Sequence, residues 1–98
     1  MNREIDLAFI KIHILHHAAE EEVYGLGLIE ELGRHGYTLG PGTLYPTLAK
    51  MKDRGLLRYE HRIVGHKQRK YYRITPAGRE LLDETRNKIR ELYEEVMP

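Results

Sequence analysis

The strongest restriction on this chain is a change of hydrophobic period after Gly55. Before that residue, apolar side chains recur every three or four positions; over Leu56–Thr75 they alternate; after Pro76 the helical spacing returns. One stretch therefore suits strands, and it is long enough for two. In Leu56–Val64, Leu57, Tyr59 and Ile63 alternate with Arg58, Glu60 and Arg62. In Lys67–Thr75, Tyr72 and Ile74 alternate with Tyr71 and Arg73. Gly65-His66 between them is a turn, so the two runs read as a hairpin. A lone two-stranded hairpin is marginal in water, so the flanking helices must supply its core. The expected fold class is mainly α (α+β).

Three helices are expected before the hairpin. Arg3–His17 has one stripe of Ile5, Ala8, Phe9, Ile12 and Leu15 and a second of Leu7, Ile10 and Ile14 on nearly the opposite side. A helix that is apolar on two sides must be covered on two sides, and a domain this small rarely does both, so the second stripe points to a subunit interface. Ala18–Val23 is a short acidic linker. Tyr24–Gly36 follows, with Tyr24, Gly25, Leu28, Ile29 and Leu32 on one face. Gly25 in that face implies that another element approaches closely.

Leu39–Gly55 supplies the third helix, with a buried stripe of Leu44, Leu48 and Met51. Pro46 has no N–H and is tolerated best in a first turn, so the helix is expected to begin near Gly42–Leu44, with Thr43 as the cap. Thr43, Tyr45, Pro46, Lys50 and Asp53 then face outward, flanked by Lys52 and Arg54. Two short helices across a Gly-containing turn form a helix-turn-helix, and a basic hairpin after it is a wing. At this point the third helix is either a plain amphipathic core helix or one that enters a DNA groove.

Thr75-Pro76 opens the last helix, with Thr as N-cap and Pro at the first helical position. Leu82, Ile89, Leu92, Tyr93 and Val96 form a narrow seam on it. A long helix with a narrow seam pairs with another helix, and the surfaces on offer are its own copy and the second stripe of the first helix. The expected dimer interface is therefore Leu7, Ile10, Ile14, Leu82, Ile89, Leu92, Tyr93 and Val96.

The net charge of +1 conceals an asymmetry. Residues 1–33 sum to −5, residues 34–75 to +8 and residues 76–98 to −2. A basic middle between acidic ends suits a localised anionic partner, of which double-stranded DNA is the commonest. Thr43, Tyr45, Pro46, Lys50 and Arg54 on the third helix and Lys67, Arg69 and Lys70 on the wing are the candidate contacts. Cysteine is absent, which excludes disulfides, thiolate metal sites and cysteine nucleophiles. No carboxylate pair, nucleophile–base pair or phosphate loop stands out, so no enzyme and no cofactor are expected. No apolar run approaches a membrane span, and no signal peptide is evident, so a cytoplasmic protein is expected. His13, His16 and His17 have spacings that suit a metal, but as residues closing a helix C-terminus they complement its dipole, and no metal is assigned.

Four runs stand out together: Tyr24-Gly25, Gly42-Thr43-Leu44-Tyr45-Pro46-Thr47-Leu48, Gly55-Leu56-Leu57 and Tyr71-Tyr72-Arg73-Ile74-Thr75-Pro76-Ala77-Gly78. In combination they are similar to the PadR-like family of winged-helix transcriptional regulators. The resemblance runs from about residue 5 to residue 95. It implies a winged helix-turn-helix over residues 1–75, a C-terminal dimerisation helix over 76–98, and a homodimeric repressor on an inverted-repeat operator. It also implies a small hydrophobic effector at the dimer interface; members with such sites stack it on tryptophan, which this chain lacks. Two other uses of the fold remain open: a ligand- or metal-sensing module, and a winged helix used for protein–protein contact.

Overall fold

The structure, a computed structural model, describes residues 2–97. Met1 and Pro98, the outer ends of the two expected domains, lie outside the described residues. The order is α1 (Arg3–Glu20), α2 (Gly25–Arg34), α3 (Pro41–Asp53), β1 (Leu57–Val64), β2 (Lys67–Ile74) and α4 (Pro76–Val96). This is the winged helix-turn-helix arrangement that the change of period implied.

Helix α1 begins where Asn2 Oδ1 accepts from the Ile5 N–H at 3.1 Å, with Glu4 and Asp6 favourably placed against the helix dipole. It runs three residues past the expected end at His17. Ala18, Ala19 and Glu20 are strong helix formers, and buried Ala18 anchors the extra turn. The chain then straightens, and Val23 exchanges two backbone hydrogen bonds with Tyr72, at 2.9 and 2.7 Å. The expected acidic linker is thus partly a third edge to the hairpin. Helix α2 ends with Gly36 at φ 88° and the Tyr37 N–H returning to the Leu32 carbonyl, a glycine C-terminal motif.

The hairpin pairs Leu57 with Ile74 and runs in register to Val64 and Lys67. Gly65 and His66 both have positive φ, 53° and 67°, which fits a two-residue turn whose twist matches the strands. Leu57, Tyr72 and Ile74 enter the core as expected. Ile63 does not, being 79% exposed, because the distal half of the hairpin projects beyond the helices.

The core is one cluster: Ile10, Ile14, Leu15 and Ala18 of α1, Leu28 and Leu32 of α2, Leu44, Leu48 and Met51 of α3, the three hairpin residues, and Leu82 of α4. This corrects the assignment of the two stripes on α1. Ile10 and Ile14, expected at a subunit interface, are buried inside the protomer, as is Leu82, and Leu7 packs against the same cluster. Ile5 and Phe9, from the stripe expected to be core, are the exposed ones. Leu15, of that same stripe, is buried and Ile12 half-buried, so the stripe passes from solvent to core along α1, which periodicity alone does not show.

Helix α4 is capped by Thr75, whose Oγ1 accepts from the Gly78 N–H at 3.0 Å. Its contact with the body is local. Gly78 and Leu82 are buried, and from Arg86 to Met97 every residue is exposed. Gly78 is needed for that contact: a Cβ there would lie 2.2 Å from the Leu56 carbonyl oxygen and 2.7 Å from Ile74 Cγ1.

Candidate nucleic-acid interface

Helix α3 starts earlier than its proline suggested. Its N-cap is Gly40 and Pro41 occupies the first turn, so Thr43 is not the cap and Pro46 lies in the sixth helical position. The missing Pro46 N–H would have served the Gly42 carbonyl. Gly42 is exposed, so water can serve that oxygen instead. The helix continues through the proline because Leu44, Thr47, Leu48 and Met51 are buried and hold it down. Thr47 reinforces the same turn by donating from its hydroxyl to the Thr43 carbonyl at 2.8 Å.

The outward residues of α3 divide between two flanks. Tyr45 and Lys52 point toward the wing, whereas Lys50 lies about 140° around the helix from Tyr45 at 3.6 residues per turn. Thr43 is half-buried on the side of α1, beside Arg3, Asp6 and Leu7. Arg54 is the exposed C-cap. Pro46 is exposed between the flanks. Tyr45 is 44% exposed, and its ring lies on Gly25, where any Cβ would sit 2.4 Å from Cε1. This is the close approach that a glycine at that position implied, and the approaching group is the tyrosine ring of α3.

Between α3 and the wing lies an open groove of about 450 Å³. Tyr24, Tyr45 and Tyr59 contribute its aromatic walls, and Lys52, Arg69 and Lys70 its cations, with Asp53 the acid among its lining residues. The cations are held by the rings. The Arg69 guanidinium sits 4.8 Å from the Tyr24 centroid, and the Lys70 ammonium 4.7 Å from that of Tyr59. Lys67 is different, lying exposed in the pair next to the turn. Of the expected contacts the structure thus brings Tyr45, Arg69 and Lys70 to one groove and leaves Thr43, Lys50 and Arg54 on the other flank of α3. Sequence reasoning left out Lys52 and Tyr24. Lys52 is one turn beyond Leu48 on the flank of Tyr45, so helical spacing could have found it; Tyr24 is placed only by the bridge between Val23 and Tyr72.

The face of the hairpin that carries Arg62 and Arg73, and by register Arg69, holds ion pairs. The Arg62 guanidinium donates to Glu22 at 2.7 Å from one nitrogen and pairs closely with Glu60. Arg73 Nε lies 3.6 Å from the same Glu22 oxygen, Oε2, that accepts this bond. The hydrogen bond from Arg62 holds the Glu22 carboxyl below its ordinary value. Burial, then Tyr59 and Tyr45, push the Tyr72 hydroxyl up, so it stays neutral at the base of the groove. Among the described residues, Lys67, Arg69 and Lys70 toward the tip of the wing and Arg58 near its base form no ion pair.

A second surface is apolar. Ile89, Leu92, Tyr93 and Val96 of α4 are exposed together, Leu92 and Val96 both at 54%, and Ile5 and Phe9 are exposed on α1. No helix among the described residues is long and apolar enough to cross a membrane.

Comparison with known proteins agrees with this geometry. Residues 14–84 match the family described as transcriptional regulator, PadR-like. The chain is 52% identical over 95 residues to the transcriptional regulator Rv3488 of Mycobacterium tuberculosis, covering 97% of this chain and 89% of that one. Among solved structures, a PadR-like transcription factor from Bacteroides fragilis superposes with a TM-score of 0.85 at 29% identity, covering 96% of this chain and 92% of the other. A PadR family regulator from Eggerthella lenta superposes with a TM-score of 0.84 at 32% identity, covering 95% and 82%.

Proposed function

The chain belongs to the PadR-like family of transcriptional regulators, and from that premise we propose that it is a homodimeric repressor binding an inverted-repeat operator in double-stranded DNA. The observation that carries this reading is the groove between α3 and the wing, where Lys52, Arg69 and Lys70 converge with four tyrosines. Residues 1–75 bind DNA and residues 76–98 dimerise. The seam of Ile89, Leu92, Tyr93 and Val96, with Ile5 and Phe9, meets its counterpart on a second copy. A two-fold pair places two α3 helices about one DNA turn apart, roughly 34–36 Å.

Each group then has a distinct task. Tyr45, Pro46 and Lys50 at the exposed side of α3 meet base edges and the adjacent backbone, with Thr43 and Arg54 at the two ends of the helix. Lys67, Arg69 and Lys70 meet phosphates flanking the half-site. Phosphate contacts set register and salt-sensitive affinity, whereas base contacts set sequence preference. The rings under Arg69 and Lys70 fix those cations before DNA arrives, which lowers the entropy lost on binding.

The test is a salt titration of operator binding, using an inverted repeat found by footprinting upstream of the chain's own gene. Replacing Lys67, Arg69 and Lys70 by Ala removes three phosphate contacts per protomer. At ~0.9 per contact, the slope of log K against log salt falls by about 2.7 per protomer and about 5 for the dimer. Tyr45→Phe and Lys50→Ala keep most of the slope and relax sequence preference. An unchanged slope in the folded triple variant overturns the assignment of the wing.

A further inference from the structure

The three histidines closest to one another come from two different helices. His13 and His17 are four residues apart on one face of α1, and His35 is the C-cap of α2. One ligand nitrogen from each lies within 4.8 Å of the other two. The spacing of His13, His16 and His17 along the chain could not show this, because His35 arrives only through the packing of α2 on α1. We propose that His13, His17 and His35 form a binding site for a divalent transition-metal cation of the zinc class.

Four observations support the assignment. First, the nitrogens are near the required separation. Tetrahedral coordination at bond lengths of about 2.0–2.1 Å sets nitrogens roughly 3.3 Å apart. Closing from within 4.8 Å needs side-chain rotation, for which His35, exposed at a helix end, has room. Second, His17 Nε2 is buried and has no hydrogen-bond partner. A buried polar nitrogen without a partner is costly, and a metal ion removes the cost.

Third, the three rings are packed in a way that their own charges oppose. His13 and His35 stack with centroids 4.6 Å apart, and each lies 6.3 Å from His17. The packing brings three imidazoles, each of a metal-ligating type, to the junction of α1 with the end of α2. Fourth, an acid stands behind the site. Glu31 Oε2 lies 3.5 Å from His35 Nε2, close enough to orient that ring when it binds a metal.

Imidazole donors select zinc-class ions over magnesium, which prefers oxygen. Three protein nitrogens leave a fourth position open to water or to Glu31. A rival grouping, His16, His17 and Glu20, shares His17 but lies wholly on α1 and more in solvent. The site joins α1 to the C-cap of the first helix of the helix-turn-helix, five residues before the N-cap of α3. Occupancy would stiffen the turn that orients α3. That consequence rests on the reading as a DNA-binding regulator, but the binding itself does not.

The experiment is titration calorimetry of untagged, EDTA-stripped protein with Zn²⁺, with Mg²⁺ as control and no DNA present. One Zn²⁺ should bind per chain, and Mg²⁺ should not. Co²⁺ should give the visible absorption of a tetrahedral site. His35→Ala and His17→Ala should each weaken Zn²⁺ by at least ~10-fold, the lower end for disturbing a metal shell. His16→Ala and Glu20→Ala should leave affinity within about twofold. His35 is exposed, so its variant should keep the apo melting temperature, and His35→Gln provides a second check. Equal response to Mg²⁺, full affinity in His35→Ala, or loss in His16→Ala or Glu20→Ala instead would overturn the proposal. A separate operator titration with and without Zn²⁺ tests the coupling to DNA, and its failure leaves the binding result standing.

Discussion

Replacing Gly78 by Ala tests how α4 is attached. The new Cβ would lie 2.2 Å from the Leu56 carbonyl oxygen and 2.7 Å from Ile74 Cγ1. The first neighbour is backbone, so it cannot swing aside. That carbonyl also accepts the Thr75 N–H at 3.1 Å, the bond that docks the start of α4. Overpacking of this kind costs about 1–3 kcal/mol. Losing the Thr75 bond adds roughly 1 kcal/mol, and the better helix propensity of Ala returns about 1 kcal/mol. A net loss of about 2 kcal/mol lowers the melting temperature of a domain this size by roughly 10 °C.

The control is Gly33→Ala, in α2, where nothing lies within 4 Å of the new methyl group. It should stabilise by up to about 1 kcal/mol from propensity alone. The assay is thermal unfolding followed by circular dichroism, repeated at several protein concentrations because the proposed dimer would add a mass-action contribution. If Gly78→Ala melts with the parent while Gly33→Ala behaves as stated, α4 is not seated on Leu56, and the placement of the dimer seam fails with it.

Two further outcomes are expected. Glu22→Gln should lower the melting temperature at neutral pH, because Arg62 and Arg73 lose their shared carboxylate. The folded carboxyl is held below its unfolded value, so its contribution is present above the ordinary carboxylate range and disappears as pH falls through the folded value; a difference that persists in strong acid would contradict the pairing. Ile89→Glu combined with Leu92→Glu should leave each protomer folded, since both side chains are exposed, and should give a monomer by sedimentation; a stable dimer in that variant would move the interface elsewhere.

Much of the fold was legible in the chain because local rules agreed with one another. The register of the hairpin followed from alternation and from Gly65-His66, and Thr75-Pro76 marked the start of α4 to the residue. The wing cations were legible as charges. Their positions were not: that Arg69 and Lys70 rest on Tyr24 and Tyr59 depends on rings from a linker and an opposing strand. The start of α3 was misjudged because a proline rule describes local cost, whereas Leu44, Thr47 and Leu48 recover that cost by burial.

By itself the sequence determined the element types, their order and the sign of the central charge, all properties of neighbours a few residues apart. Only the tertiary structure decided which stripe of α1 faces inward, why Gly25 and Gly78 carry no side chain, and that His35 joins His13 and His17. Each of these is a contact between segments far apart in the chain. Periodicity describes a face without naming what covers it, and only packing supplies the second surface.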